Sequence, residues 1–190
     1  MDIISILVCR CQRLMLRARH VKFGKNLKLR GWTRWKLGRG CSLVIGDDFV
    51  SNSRQKDTID TQSCSKVFLS PGARLIIGNH SGMSSTSIQC TGNIEIGNNV
   101  IFGAGCLVMD SDFHSLSWQD RRDGKLGSNE AVSKDIKIGN DCFIGARSII
   151  CKGVTIGERV IIAAGSVITT DIPSDEVWGG NPAAFIRSNK

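Results

Sequence analysis

Isoleucine returns every six residues over one stretch of this chain, at Ile138, Ile144, Ile150, Ile156, Ile162 and Ile168. Glycine follows at Gly139, Gly145 and Gly157, and a small or β-branched residue stands four places after each of the first five isoleucines: Cys142, Ser148, Val154, Val160 and Ser166. A period of six is not helical, and self-similarity at a short fixed period marks a solenoid. Six is also even, so on an extended strand every isoleucine keeps the same facing. The simplest object with this repeat is a parallel β-helix with three short strands per coil, or about eighteen residues per turn. Its strands would stack about 4.8 Å apart with isoleucine on isoleucine, and polar corners such as Asn98-Asn99 and Asn140-Asp141 would take the positive φ.

The period is looser upstream. Leu37 to Ile45, Leu69 to Ile77 and Ile88 to Ile96 are eight-residue steps, hexads with small corner insertions. Ser51 to Ser65 is polar and aperiodic, a looped excursion or a distorted coil. Ile96, Phe102 and Val108 are regular again, and then the count stops for residues 109–135, a polar and charged excursion. Long aperiodic insertions in compact arrays are usually functional, and in solenoids they build the binding face. The expected layout is a helix and cap over residues 1–36, a β-helix over 37–170 and a tail over 171–190. Trp32 and Trp35 would shield the open end, because a terminal coil needs a cap.

The chain has one domain's worth of sequence at 190 residues, with a net charge of +8. That charge suits nucleic acid, an acidic membrane surface or a small polyanion. Nucleic acid is disfavoured: there is no tyrosine, and no recognition-helix or RNA-binding motif. Eight cysteines form no CxxC pair, so zinc is not expected. Cys41, Cys106 and Cys142 fall at the inward small position and read as buried thiols, which suits a reducing cytoplasm. The apolar run Ile3 to Cys9 is too short to span a bilayer, and its arginines follow it, unlike a signal peptide. With Ile3, Leu7 and Leu14 against Arg10, Arg13, Arg17 and Arg19 it reads as an amphipathic basic helix. It would pack on its own or a neighbouring subunit, or make weak contact with an anionic membrane face.

The hexads IGNDCF, IGARSI and IGERVI, beginning at Ile138, Ile144 and Ile156, resemble the hexapeptide-repeat acyltransferases. The run GVTIGERVIIAAGSVITTDIPSDEVWGGNPAAFIR is similar to the maltose and galactoside O-acetyltransferase branch, including its closing element at Gly180 to Ala183. Small members with a short basic N-terminal helix resemble those of surface-polysaccharide biosynthesis. The resemblance is close over Ile94 to Arg187 and loose over Leu37 to Gln89. It implies an all-β solenoid, a left-handed parallel β-helix, although the general preference in parallel sheets is for right-handed crossovers. It also implies a homotrimer, with acetyl-CoA and an acceptor meeting in clefts between subunits.

Moving an acetyl group onto a hydroxyl requires a base, and histidine is the usual choice near neutral pH. The chain offers His20 in the basic segment, His80 at an outward corner, and His114 at the opening of the excursion. The resemblance places the catalytic histidine at His114. Asp110 or Asp112 would hold its second nitrogen in the manner of a triad, or else both are solvated loop carboxylates. The resemblance further implies an oxyanion-stabilising backbone N–H at Ala146 and an acceptor contact at Ser85, where the family has asparagine. The coenzyme arm would lie along Ala146, Ala164, Gly165, Thr169 and Thr170, with its nucleotide end near Arg187. Relatives often carry a cation at the position of Thr170. Lys152, one coil below, or Arg187 would supply that charge.

The expected reaction is direct O-acetyl transfer from acetyl-CoA to a sugar or glycan precursor, without a covalent acyl-enzyme. The alternatives are an N-acetyltransferase on an amino sugar and a non-catalytic β-helix subunit. A serine acetyltransferase would have a larger helical N-terminal domain. A zinc hydratase resembling γ-carbonic anhydrase would need three converging histidines.

Overall fold

A computed structural model describes residues 3–54, 64–124 and 131–190. Helix α1 (Ile3–Ala18) precedes coils that each give one strand to three parallel faces, A, B and C. Coil one comprises β1 (Lys22–Phe23), β2 (Lys28–Arg30) and β3 (Arg34–Leu37), and coil two β4 (Ser42–Ile45), β5 (Val50–Asn52) and β6 (Lys66–Leu69). Coil three is β7 (Arg74–Ile77), β8 (Gly82–Ser84) and β9 (Ser87–Cys90). Coil four is β10 (Asn93–Ile96), β11 (Ile101–Phe102) and β12 (Leu107–Met109). After the excursion come coil five, β13 (Ile136–Ile138), β14 (Phe143–Ile144) and β15 (Ile149–Ile150), and coil six, β16 (Thr155–Ile156), β17 (Ile161–Ile162) and β18 (Val167–Ile168). Face B then gains β19 (Glu176–Gly180), parallel to β17, and β20 (Ala183–Ser188), antiparallel to β19.

The isoleucine count becomes vertical stacking. Ile138 pairs with Ile156, Ile144 with Ile162 and Ile150 with Ile168, one turn apart. All six are at most 3 % exposed, each burial favouring the fold by about 1.5–3 kcal/mol. The small position is buried with them. Where it is polar it reaches the next coil: the Ser148 hydroxyl and the Cys142 thiol donate to the carbonyls of Ala163 and Gly157.

The A–B edge is a ladder of side-chain amides. Asn79 accepts from the Asp47 N–H, Asn98 from the Asn79 N–H and Asn140 from the Asn98 N–H, at 2.8–2.9 Å. Glycine before each rung is a matter of space. A Cβ on Gly97 would lie 2.8 Å from the Gly139 carbonyl carbon. His80 sits outward on this edge at φ 56°, its Nδ1 3.5 Å from Asp48.

The strands begin at Lys22, well before the expected start at Leu37. Coil one keeps the period of six in other residues: Val21, Leu27 and Thr33 are buried in succession. No Ile-Gly pair announces it, which is why it reads as a cap. The tryptophans do not close the open end either. Trp32 is half exposed, and Trp35 lies within β3. The cap is α1, which buries Leu16 and Gln12. The Gln12 side chain donates to the Gly31 carbonyl and accepts from the Thr33 N–H and the Trp35 indole N–H. The helix thus packs on its own protein, and no helix among the described residues is long and apolar enough to cross a membrane. Upstream of β6, the expected excursion at Ser51 to Ser65 is narrower, since Ser51 and Asn52 belong to β5. Residues 55–63 lie outside the described residues.

Candidate active site

The excursion leaves the prism at the C–A edge, between β12 and β13, and is pinched shut at its base. The Lys134 N–H donates to the Asp110 carbonyl at 2.9 Å, and Ser111 forms an antiparallel bridge with Ser133. Asp110 is fully buried. Its carboxylate accepts from the Thr91 N–H (2.7 Å), the Thr91 hydroxyl (2.7 Å) and the Gly92 N–H (2.8 Å) of the coil below. These charge-assisted bonds make Asp110 a clasp between the excursion and the solenoid. Asp112 pairs with Lys152 of the coil above, each side chain about one-fifth exposed, and Lys152 also reaches the Val132 carbonyl at 3.5 Å.

Between these anchors and the rest of the loop stands Phe113 at φ 61°, its N–H donating to the Ser111 hydroxyl. A bulky side chain in the left-handed region is a strained arrangement, of a kind that collects at functional sites. The next residue, His114, is exposed. Beyond it Ser115 is buried; its hydroxyl donates to Asp120, and its carbonyl accepts from Arg121 at 2.7 Å. Ser117 caps the short helix α2 (Trp118–Arg122), whose Arg122 lies over the Trp118 ring. The loop therefore has a structure of its own where the sequence shows only polarity. Its cap is legible in Ser117-Trp118-Gln119-Asp120, a serine followed three places later by an acid. Residues 125–130 lie outside the described residues.

The residues expected to meet the coenzyme fall on two edges of the prism. Ala146, Ala164 and Gly165 are corners of the B–C edge, between β14 and β15 and between β17 and β18. There the Arg147 N–H donates to the Ala104 carbonyl and the Gly165 N–H to the Ala146 carbonyl. Among the described residues the Ala146 N–H enters no such bond. The corners are tightly stacked: a Cβ on Gly145 would lie 2.5 Å from the Ala164 nitrogen. Ser85 belongs to the same edge two coils below Ala146, at φ 45°, but it is buried. Lys152, Thr169 and Thr170 lie on the C–A edge with His114, and face C separates the two groups. Arg187 is exposed on β20 and donates to the Ser188 carbonyl.

Nothing in the sequence marks Thr91 as a site residue, because its role depends on a partner nineteen residues away. The buried thiols are no competitors as nucleophiles. Burial pushes Cys106 and Cys142 up to about 11. Burial, reinforced by Asp110, pushes Cys90 up further, and burial with Asp112 raises Cys151. Each favours the neutral thiol at neutral pH.

A family model described as the hexapeptide repeat of succinyl-transferase matches residues 135–170, coils five and six. Among solved structures, a hexapeptide-repeat-containing acetyltransferase from Vibrio cholerae is similar over 98 % of this chain and 86 % of its own, at 23 % identity and a TM-score of 0.63. The N-acyltransferase AntD from Bacillus cereus, in complex with dTDP and coenzyme A, matches 94 % of this chain and 89 % of its own, at 17 % identity and a TM-score of 0.70. NeuO, a polySia-specific acetyltransferase, matches 89 % of this chain and 82 % of its own, at 24 % identity and a TM-score of 0.57. In its repeat and its fold this chain is similar to these acyltransferases. Its architecture is their left-handed parallel β-helix.

Proposed function

We propose that this protein is an acetyl-CoA-dependent O-acetyltransferase acting on a hydroxyl of a sugar or glycan precursor, with His114 as the base. The observation that carries this reading is the excursion. It breaks the repeat at the C–A edge, is fastened to the coils on either side by Asp110 and by Asp112 with Lys152, and presents exposed His114 directly after strained Phe113. The crystallised relatives include the Vibrio cholerae acetyltransferase complexed with acetyl coenzyme A and AntD with a dTDP-amino sugar and coenzyme A.

In this reading His114 removes the acceptor's hydroxyl proton as the oxygen attacks the thioester carbonyl. The Ala146 N–H donates to the oxyanion that develops. Collapse breaks the carbon–sulfur bond, and His114 returns its proton to the departing thiolate. Because His114 and Ala146 lie on different edges, with face C between them, the reacting groups come from neighbouring subunits of a homotrimer. Asp110 and Asp112 hold the loop that carries His114 and do not themselves move protons. Of the two candidate cations, Lys152 is neutralised by Asp112, so Arg187 meets the phosphates of coenzyme A. Thr169 and Thr170 flank the pantetheine arm, and Ser85 supports the acceptor pocket from beneath.

The test is acetyl transfer from acetyl-CoA to a panel of sugars, nucleotide sugars and amino sugars, read by mass spectrometry. Product on hydroxyls that disappears in His114→Ala with the oligomer intact supports the reading; undiminished product in that variant refutes it. Product on amines alone would establish the second reading, an N-acetyltransferase, which the fold likeness to AntD favours. Coenzyme A affinity unchanged in Arg187→Ala and lowered in Lys152→Ala would reverse the assignment of the cations.

A further inference from the structure

The chain's positive charge is gathered at one end of the solenoid. Between Ile3 and Gly46 the sequence holds eleven lysines and arginines and no acidic residue, whereas from Asp47 to Lys190 acidic residues outnumber basic ones by two. This basic segment comprises α1, coil one and the opening of coil two. The first carboxylates to follow, Asp47 and Asp48, are engaged by the Lys25 N–H, by Asn26 and by His80.

Exposed apolar groups share this end. With Gln12 and Leu16 turned into the protein, α1 presents Leu7 and Leu14 to solvent, 59 % and 57 % exposed, with Ile6 beside them. Trp32, at the corner between β2 and β3, is half exposed. Between α1 and β2 runs a groove of about 550 Å³, rimmed by Arg10, Arg13, Arg17, Lys28 and Arg30, with no acidic side chain among its lining residues. Two of these arginines are braced: Arg13 and Arg17 lie over the Phe23 ring at 6.0 and 5.5 Å.

Free phosphates or a nucleic acid would use the arginines and leave the leucines and Trp32 in water. A second copy packed helix to helix would set the arginines against their own kind. A surface that is at once anionic and apolar a few ångströms down matches both sets, and arginine, leucine and tryptophan on one amphipathic element are the composition of interfacial helices. We propose that this end of the solenoid docks on the surface of a bilayer containing anionic phospholipid. Leu7 and Leu14 enter the boundary between headgroups and acyl chains, and Arg10, Arg17, Lys28 and Arg30 meet lipid phosphates. The helix lies in the interface plane with Gln12 and Leu16 still packed on coil one. The inference does not depend on the acetyl-transfer reading.

The test is flotation of the full chain with vesicles of phosphatidylcholine alone or of phosphatidylcholine and phosphatidylglycerol in equal parts. The protein is expected to float with the mixed vesicles only. In Arg10→Ser/Arg30→Ser binding should weaken by roughly 25-fold, at about fivefold per removed charge. Leu7→Ser/Leu14→Ser should release the protein even with every charge retained. All four positions are exposed, and circular dichroism verifies the fold of each variant. Failure to float with anionic vesicles overturns the proposal. So does a leucine variant that floats like the parent, since charge alone would then account for binding. Self-association without vesicles that requires Leu7 and Leu14 would assign the surface to a second copy instead.

Discussion

Coil five rests on coil six through isoleucine on isoleucine, and its corners touch so closely that a single methyl on Gly145 would strike the backbone above. The excursion one strand earlier has no such repetition. It is fastened by a carboxylate on Thr91 and Gly92, an ion pair to Lys152 and a two-residue bridge at its neck. The first region distributes its stability over many equivalent contacts, and its inward side chains are committed to packing. The second depends on a few unlike contacts, so each residue can carry a separate task. Substitutions in the coil wall should therefore lower stability and spare chemistry, and substitutions in the excursion should do the reverse.

The largest expected effect is on chemistry. His114→Ala should lower acetyl transfer by about 10²–10⁴-fold while the denaturation midpoint stays at the parent value. A matched loss of stability would blur the contrast. Next, Ile144→Ala empties a fully buried position between Phe102 and Ile162 and should cost about 2–5 kcal/mol in urea unfolding. Any product formed by the folded fraction should retain the parental turnover. Asp110→Ala tests the seam between the regions. It removes the acceptor of two backbone N–H groups and a hydroxyl, at about 1–3 kcal/mol for each donor left buried and unpaired. Turnover should fall further than stability alone explains, with KM for acetyl-CoA little changed. The charge swap Asp112→Lys/Lys152→Asp should recover part of what either single change loses.

The smallest effect is a thiol titration. Exposed Cys11 should react with a disulfide reagent in the native protein, and Cys106 and Cys142 only after unfolding. Those two thiols sit near 11, above the ordinary 9.0, so folding disfavours their thiolates. Their contribution to stability is complete below about pH 9 and declines as the pH climbs through about 11. Rapid native labelling of Cys142 would show that the coil wall is looser than its packing implies.

The legible and illegible parts of the molecule follow the same division. The two regular blocks are legible from Ile96 and from Ile138 onward because a buried, repeated side chain leaves a periodic trace. Coil one escaped because Val21, Leu27 and Thr33 keep the period without the chemistry that made it visible. The position of His114 came from where the count breaks and from family resemblance. The engagement of Asp110 by Thr91, the pairing of Asp112 with Lys152 and the capping by Gln12 left no trace in any window of sequence.

By itself the sequence determined the six-residue step, the eighteen-residue turn, the inward residues and the point at which the repeat is interrupted. Each of these follows from the two-residue alternation of a strand and from the need to bury a uniform row of side chains. Only the tertiary structure decided what lies on which edge: His114 with Lys152 on one, Ala146 with Ala164 on the other, and the arginines with Leu7 and Leu14 at the solenoid's basic end. Such juxtapositions join residues up to forty positions apart through an excursion whose length no periodicity constrains. They are settled by the stacking of whole coils, and no local preference encodes them.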